Sequence, residues 1–183
     1  MTNDELKALV AIYQVGLVIK AHKPKRRHIA WEKLKRLATR DGRIHIIETT
    51  LSRPDLLALY QCCDSFLSLH RAEGFGRGIA EAMQLGLHVI TTGYSGNLDF
   101  CYPPFVDLVN YKLVKVKRGQ YPFASHQVWA EVNVQHAAEL MRSFYSQSVN
   151  KASTKNNWLQ FSAIKIGKRY KNQLSKVNFS KVH

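Results

Sequence analysis

The chain has 183 residues, 45% hydrophobic and 22% charged, a composition that sets aside intrinsic disorder and fits one domain able to bury a core unaided by disulfides. No apolar run reaches the roughly 20 residues a membrane helix needs, and the opening Met1-Thr2-Asn3-Asp4-Glu5 is too acidic for a secretory signal, so the expected location is cytoplasmic, at most peripheral to the inner membrane surface. A balance of 27 Lys/Arg against 13 Asp/Glu, net +14, points to phosphate-bearing partners: nucleotides, anionic lipid or glycolipid headgroups, or nucleic acid.

Short apolar runs alternate with longer stretches of helical spacing, which predicts parallel strands joined by crossover helices. Asp4–Tyr13 places Leu6, Leu9, Val10 and Tyr13 on one helical side, Gly16–Lys20 reads as a strand, and His22–His28 as a basic loop. A helix is expected to run through Thr39. A strand over Arg43–Glu48 and a short helix over Pro54–Cys62, opened by its proline, come next. Phe66–Leu69 is a predicted strand, Gly74-Phe75-Gly76-Arg77-Gly78 a glycine turn, and Ile79, Ala82, Met83 and Leu85 the apolar side of the helix that follows.

His88–Thr92 then closes the unit as a strand, and Tyr102-Pro103-Pro104 breaks regular structure. Lys112–Lys117 is expected at a sheet edge and Gln120–Trp129 as an irregular loop whose Tyr121, Phe123 and Trp129 serve packing. Val134–Tyr145 is a predicted helix, as is a segment with Leu159, Ala163, Ile166, Tyr170 and Leu174 at helical spacing. The expected division is one Rossmann-like domain over residues 1–175 and a frayed tail over 176–183.

The basic residues are clustered: Lys20–Arg43 sets a dense run of lysine and arginine against Glu32 and Asp41 alone, and Ser148–His183 contains no carboxylate. Cys62, Cys63 and Cys101 lack any zinc-ligand spacing and read as reduced structural thiols. No Asp-x-Asp pair occurs, so no metal and no resident cofactor are expected.

The residues that carry chemistry lie between Ser65 and Phe100. In an open parallel sheet ligands bind outside the carboxyl ends of the strands, where both the glycine turn and the loop Gly93-Tyr94-Ser95-Gly96-Asn97 lie. A glycine turn feeding a helix offers backbone amides and the positive end of the helix dipole to an anion. Glu73 and Glu81 bracket that turn. The run Glu-Gly-Phe-Gly-x-x-x-x-Glu-Ala-Met-x-x-Gly-x-x-Val-Ile, with the strand before it and the strand after it, resembles the donor motif of retaining GT-B glycosyltransferases. Trp129-Ala130-Glu131 and His136 to Arg142 resemble the downstream part of bacterial members.

The resemblance implies an α/β fold, a Rossmann-like parallel sheet with flanking helices, equivalent to the C-terminal, donor-binding half of a GT-B enzyme. It implies transfer of a sugar from a nucleotide-sugar co-substrate to an acceptor hydroxyl with retention, in bacterial polysaccharide or glycolipid synthesis. Glu81, in the first helical turn, would accept from two ribose hydroxyls, and Glu73 would hold and orient the transferred sugar as the catalytic carboxylate. The amides of Gly74, Phe75, Gly76 and Gly78 would approach sugar and diphosphate, with Arg77 and Lys20 adding charge to the diphosphate and His70 touching the sugar. Lys20 reads equally as an ordinary basic loop residue, His70 more readily as a strand cap, and Asn97 and Asp99 as loop formers or a helix start. The resemblance covers one half of such an enzyme, so the expected alternatives are a fragment, a truncated reading frame, or a subunit whose partner supplies the N-terminal acceptor half. The alternatives are a non-catalytic nucleotide(-sugar) binding module and a basic nucleic-acid-binding domain; no sequence-specific nucleic-acid partner is expected.

Overall fold

The structure, a computed structural model, describes residues 15–21, 28–101, 103, 106–148 and 163–175. The helix expected over Asp4–Tyr13, most of the basic loop and the tail over 176–183 lie outside the described residues, as do the side chains of the stripe ending at Leu174.

In chain order the elements are β1 (Leu17–Lys20), α1 (Ile29–Arg40), β2 (Ile44–Ile47), α2 (Arg53–Gln61), β3 (Ser65–Ser68), α3 (Arg77–Gln84) and β4 (His88–Thr92). A 3-10 turn (Gly96–Asp99), β5 (Val106–Val109), β6 (Tyr111–Lys115), β7 (Val128–Val132), α4 (Val134–Ser148) and α5 (Ala163–Leu174) complete it. Helix α2 starts where its chemistry requires: Ser52 Oγ accepts the Asp55 N–H at 3.3 Å, and Pro54 stands in the first turn, where a missing N–H costs nothing.

The ladders form three groups: β1 with β2 in parallel, β3–β4–β5 in parallel, and β6 with β7 antiparallel. Strand β4 is central and buried on both faces, and alternation sends its side chains to two different cores. Val89 joins Ile79, Met83, Leu87, Phe100 and Val106 under α3, while Ile90 joins Val109, Leu67 and Leu140 under α4. Each such aliphatic side chain contributes about 1.5–3 kcal/mol when removed from water. A smaller core of Leu37, Ile44, Leu17 and Ile19 seats α1 on the β1–β2 pair.

Three differences from the sequence expectations follow from pairing. Val106–Val109 is a strand that sequence periodicity alone did not reveal; too short to show a pattern, it is defined by its ladder to β4. Its Asp107 meets His88 Nε2 at 2.9 Å, and the imidazole stacks on Phe144 of α4 at 4.2 Å between centroids. The Lys112–Lys117 segment forms an antiparallel ribbon with Val128–Val132 instead of extending the parallel sheet, so part of the expected irregular loop is strand. Within that former loop Trp129 is half-buried, whereas Tyr121 is 66% and Phe123 102% exposed, so among the described residues neither of these two enters a core.

The three cysteines are unbridged: Cys62 is exposed, Cys63 half-buried and Cys101 buried. Burial pushes the Cys101 thiol up to about 11, with Asn97 opposing part of the shift. The thiolate is the reactive species, so near pH 8 Cys101 stays protonated and shielded. Maleimide labelling followed by peptide mass spectrometry is expected to modify Cys62 within minutes and Cys101 only after denaturation. Equal native rates would show the core beneath β4 to be open.

Candidate functional site

The register Ser68↔Thr91 brings β3 and β4 level, so the chain leaves both strands at the same end of the sheet. Leaving β3 it passes His70, Arg71 and Glu73 into the glycine turn; leaving β4 it passes Gly93, Tyr94 and Ser95 into the 3-10 turn. The two exits are laced together. Glu73 N–H donates to Ser95 Oγ at 2.7 Å, the Ser95 hydroxyl donates to the Glu73 carbonyl at 2.5 Å, and Gly96 N–H donates to the same carbonyl at 3.0 Å. Gly96 lies so close that a Cβ would stand 1.9 Å from the Gly74 carbonyl oxygen. Ser95 holds a φ of 80°, a left-handed conformation that a non-glycine residue adopts only at a cost, here offset by both bonds of its hydroxyl.

Below the turn, Asn97 is fully buried and its Nδ2 donates to the Thr92 carbonyl at 3.0 Å. Thr92 Oγ1 donates to the His70 carbonyl at 2.8 Å. His70 itself spans the two loops, Nδ1 to Ser68 Oγ at 3.2 Å and Nε2 to the Tyr94 carbonyl at 3.1 Å. A carbonyl can only accept, which assigns the proton to Nε2.

At the mouth, Glu73 Oε1 accepts the Gly76 N–H at 3.1 Å. Gly76 is the cap of α3, with φ 90° and no side-chain cap bond. A Cβ there would be strained by the positive φ, a backbone region L side chains avoid, and would also press on the end of the Ile79 side chain at 3.0 Å, so the conformation favours glycine. The three glycines thus have separate duties. Gly74 faces open space, Gly76 makes the left-handed cap, and Gly78 lies inside α3, where a Cβ would press on Tyr60 Oη at 3.3 Å and Phe66 Cζ at 3.4 Å. The Gly76 amide is therefore engaged by Glu73, and Gly78 belongs to the helix, not to the turn. Phe75 is half-exposed with its ring against Phe100 at 4.9 Å.

Helix α3 begins at Arg77, two residues before the expected Ile79, which moves Glu81 from the first helical turn to the second. No acidic residue stands in that first turn, so its N–H groups and the exposed Arg77 are offset only by the Glu73 carboxylate at the cap. The Glu81 side chain is 15% exposed and pairs through Oε2 with Arg53 Nη1 of α2 at 2.7 Å, a partner that no spacing along the chain signals. That hydrogen bond raises the Arg53 guanidinium further, while burial, with Glu81 adding to it, pushes the Tyr60 phenol up. One Glu81 oxygen is engaged by Arg53, and a carboxylate retains further acceptor capacity.

Lys20 ends β1, half-buried, with its ammonium donating to the Ala21 carbonyl at 2.7 Å. Strand β1 shares a ladder with β2 alone, so among the described residues strand pairing does not bring Lys20 to the glycine turn. The structure thus brings His70, Glu73, Gly74 and Gly76 together with Ser95 to Asn97, and seats Glu81 on the same helix beside Arg53. Among the described residues no group of three or more His, Cys, Asp or Glu is placed to hold a metal, and no helix is long and apolar enough to cross a membrane.

The family model described as glycosyl transferases group 1 matches residues 4–102, over half the chain, ending just past the 3-10 turn. No curated protein sequence matches. Among solved structures, HepE of Anabaena in complex with UDP superposes with a TM-score of 0.62 at 18% identity, over 96% of this chain and 45% of that one. The same protein with UDP-glucose gives 0.61, and with UDP and glucose 0.60, at the same identity and coverage. This chain therefore spans a little under half the length of the structures it matches, and the shared architecture is half of a GT-B fold.

Proposed function

This chain belongs to the group 1 glycosyl transferases, and from that premise we propose that it is the donor-binding half of a retaining transferase that moves a sugar from a nucleoside-diphosphate sugar to an acceptor hydroxyl. The observation that carries the reading is the joined mouth of β3 and β4: one carboxylate, Glu73, at the cap of a positively ended helix, and a second, Glu81, on that same helix. Glu81 takes the ribose hydroxyls through the acceptor capacity that Arg53 leaves. The diphosphate lies at the start of α3, where the dipole and Arg77 offset the charge that develops as it departs. Glu73 orients the transferred sugar over the open space at Gly74, and His70 holds the loop that lines it. Lys20 stands as a further diphosphate contact supplied from β1.

Donor identity follows the relatives: UDP and UDP-glucose are the ligands of HepE, and a uridine donor is the reading carried to this chain. The pathway fitting this reading is polysaccharide or glycolipid synthesis, with the acceptor half supplied by additional sequence or a partner. A second reading, donor binding without transfer by this chain alone, is favoured by its 45% coverage of HepE.

Titration calorimetry of the whole chain tests the reading. UDP is expected to bind at least about tenfold more tightly than pyrophosphate, because only UDP offers a ribose to Glu81. UDP-glucose is expected to lose affinity in Glu73→Ala more than UDP does. Equal affinity for UDP and pyrophosphate would remove the nucleotide from the site.

A further inference from the structure

The β6–β7 ribbon presents a surface that nucleotide binding does not use, and we propose that it docks this protein on an anionic lipid bilayer. Its two faces differ. Register pairs Val114 with Trp129 and Lys112 with Glu131 on one face, and Tyr111 with Val132, Leu113 with Ala130 and Lys115 with Val128 on the other. The first face is tied to the domain: Arg71 reaches Glu131 Oε2 at 2.9 Å and lies 4.6 Å over the Trp129 ring. Ala130 N–H donates to the Arg71 carbonyl at 2.9 Å, which fixes the strand itself. The second face is seated at its base, where Ala130 is fully buried and Val132 packs on the Ile90 core, and opens to solvent at Leu113, 53% exposed, and Val128, 44% exposed.

The tip continues this apolar surface. Two turns close it, Gln120 N–H to the Lys117 carbonyl at 3.1 Å and Gln127 N–H to the Ala124 carbonyl at 3.1 Å. Between them Phe123 is fully exposed at a φ of 52°, with Tyr121 nearby. A tip that keeps a phenyl ring in water, in a backbone region disfavoured for a bulky residue, gains nothing from burial within the described residues.

Charge selects the occupant. The ribbon carries Lys112, Lys115, Lys117 and Arg118, all exposed, while its one carboxylate, Glu131, is matched by Arg71. A second copy of this chain, at net +14, would set like charge against like. Aromatic rings flanked by lysine and arginine instead match the interface of a bilayer, whose headgroups attract the cations while Phe123, Tyr121 and Leu113 enter the acyl boundary. The ribbon leaves the sheet beside Arg71 and Tyr94, whose ring meets Tyr111 at 5.1 Å, so docking would bring the mouth of β3 and β4 to the lipid surface. An acceptor hydroxyl displayed on a lipid would then be within reach. The anionic partner expected from composition thereby acquires a place on the molecule, independent of whether the nucleotide reading holds.

The test is co-sedimentation of the whole chain, at physiological ionic strength, with phosphatidylcholine vesicles made with and without phosphatidylglycerol. The triple variant L113S/Y121S/F123S keeps every charge and is expected to lose roughly tenfold in binding to the anionic vesicles, with an unchanged thermal unfolding curve. K117Q/R118Q is expected to lose preference for anionic over neutral vesicles. Because the Phe123 ring touches only solvent, Phe123→Ser alone serves if the triple variant does not fold, with a several-fold loss expected. Wild-type sedimentation of the folded apolar variants would overturn the proposal, assigning any binding to diffuse positive charge. A wild-type dimer by light scattering that the apolar variant abolishes would also overturn it, giving the face to a second copy.

Discussion

Gly96→Ala is expected to destabilise the protein by about 3 kcal/mol or more and to abolish nucleoside diphosphate binding. The added Cβ would stand 1.9 Å from the Gly74 carbonyl oxygen, 2.6 Å from its carbon and 3.0 Å from the Glu73 carbonyl oxygen. All three are backbone atoms, so no side chain can rotate away. Relief requires the two loops to separate, which breaks the Gly96 bond to Glu73 and pulls Ser95 from its left-handed position. Glu73 would then no longer be held at the α3 cap. The control is Gly42→Ala, where a Cβ meets nothing within 4 Å, and a change within about 0.5 kcal/mol is expected. Thermal unfolding of the two variants in parallel decides it: equal midpoints would mean that the loops do not approach as described.

Glu81→Ala should lower nucleoside diphosphate affinity by about a hundredfold and leave pyrophosphate affinity no weaker than before. Two charge-assisted hydrogen bonds to ribose hydroxyls are worth about 1.5–3 kcal/mol each, and about 1.4 kcal/mol is a factor of ten. Pyrophosphate has no ribose to lose. The substitution also releases Arg53 from its 2.7 Å ion pair, and an unmatched guanidinium beside the start of α3 attracts any anion. The two effects therefore oppose each other for the ribose-bearing ligand, which holds its net loss near the lower bound, and only the second acts on pyrophosphate. Glu81→Gln, which keeps the shape and one acceptor oxygen, should fall between. Equal losses for both ligands would take Glu81 out of ribose recognition and leave it a structural partner of Arg53.

Much of the frame was legible because it rests on local chemistry. Ser52 and Pro54 mark the start of α2, the apolar run of β4 marks a strand covered on both faces, and Gly76 ends a turn whose conformation favours glycine. The glycine turn, the two carboxylates and the second loop were placed at one end of a parallel sheet, and the register of β3 with β4 puts the loops there. Helix α3 starts two residues earlier than the spacing predicts because Gly78, a weak helix former, reads as part of the glycine turn, and the cap geometry at Gly76 overrides that preference. Val106–Val109 and Val128–Val132 were hidden for another reason. A strand of four or five residues is defined by its hydrogen-bonded neighbour, and neighbours distant in the chain leave no periodic mark.

By itself the sequence determined that two carboxylates and a glycine turn would gather where parallel strands end, since this follows from side-chain chemistry and spacing along the chain. Only the tertiary structure decided that Ser95 and Gly96 lock Glu73, that Arg53 holds Glu81, and that Tyr121 and Phe123 face water. Those outcomes depend on which backbone lies within 3 Å of which, a property of the folded chain that nearest-neighbour chemistry does not encode.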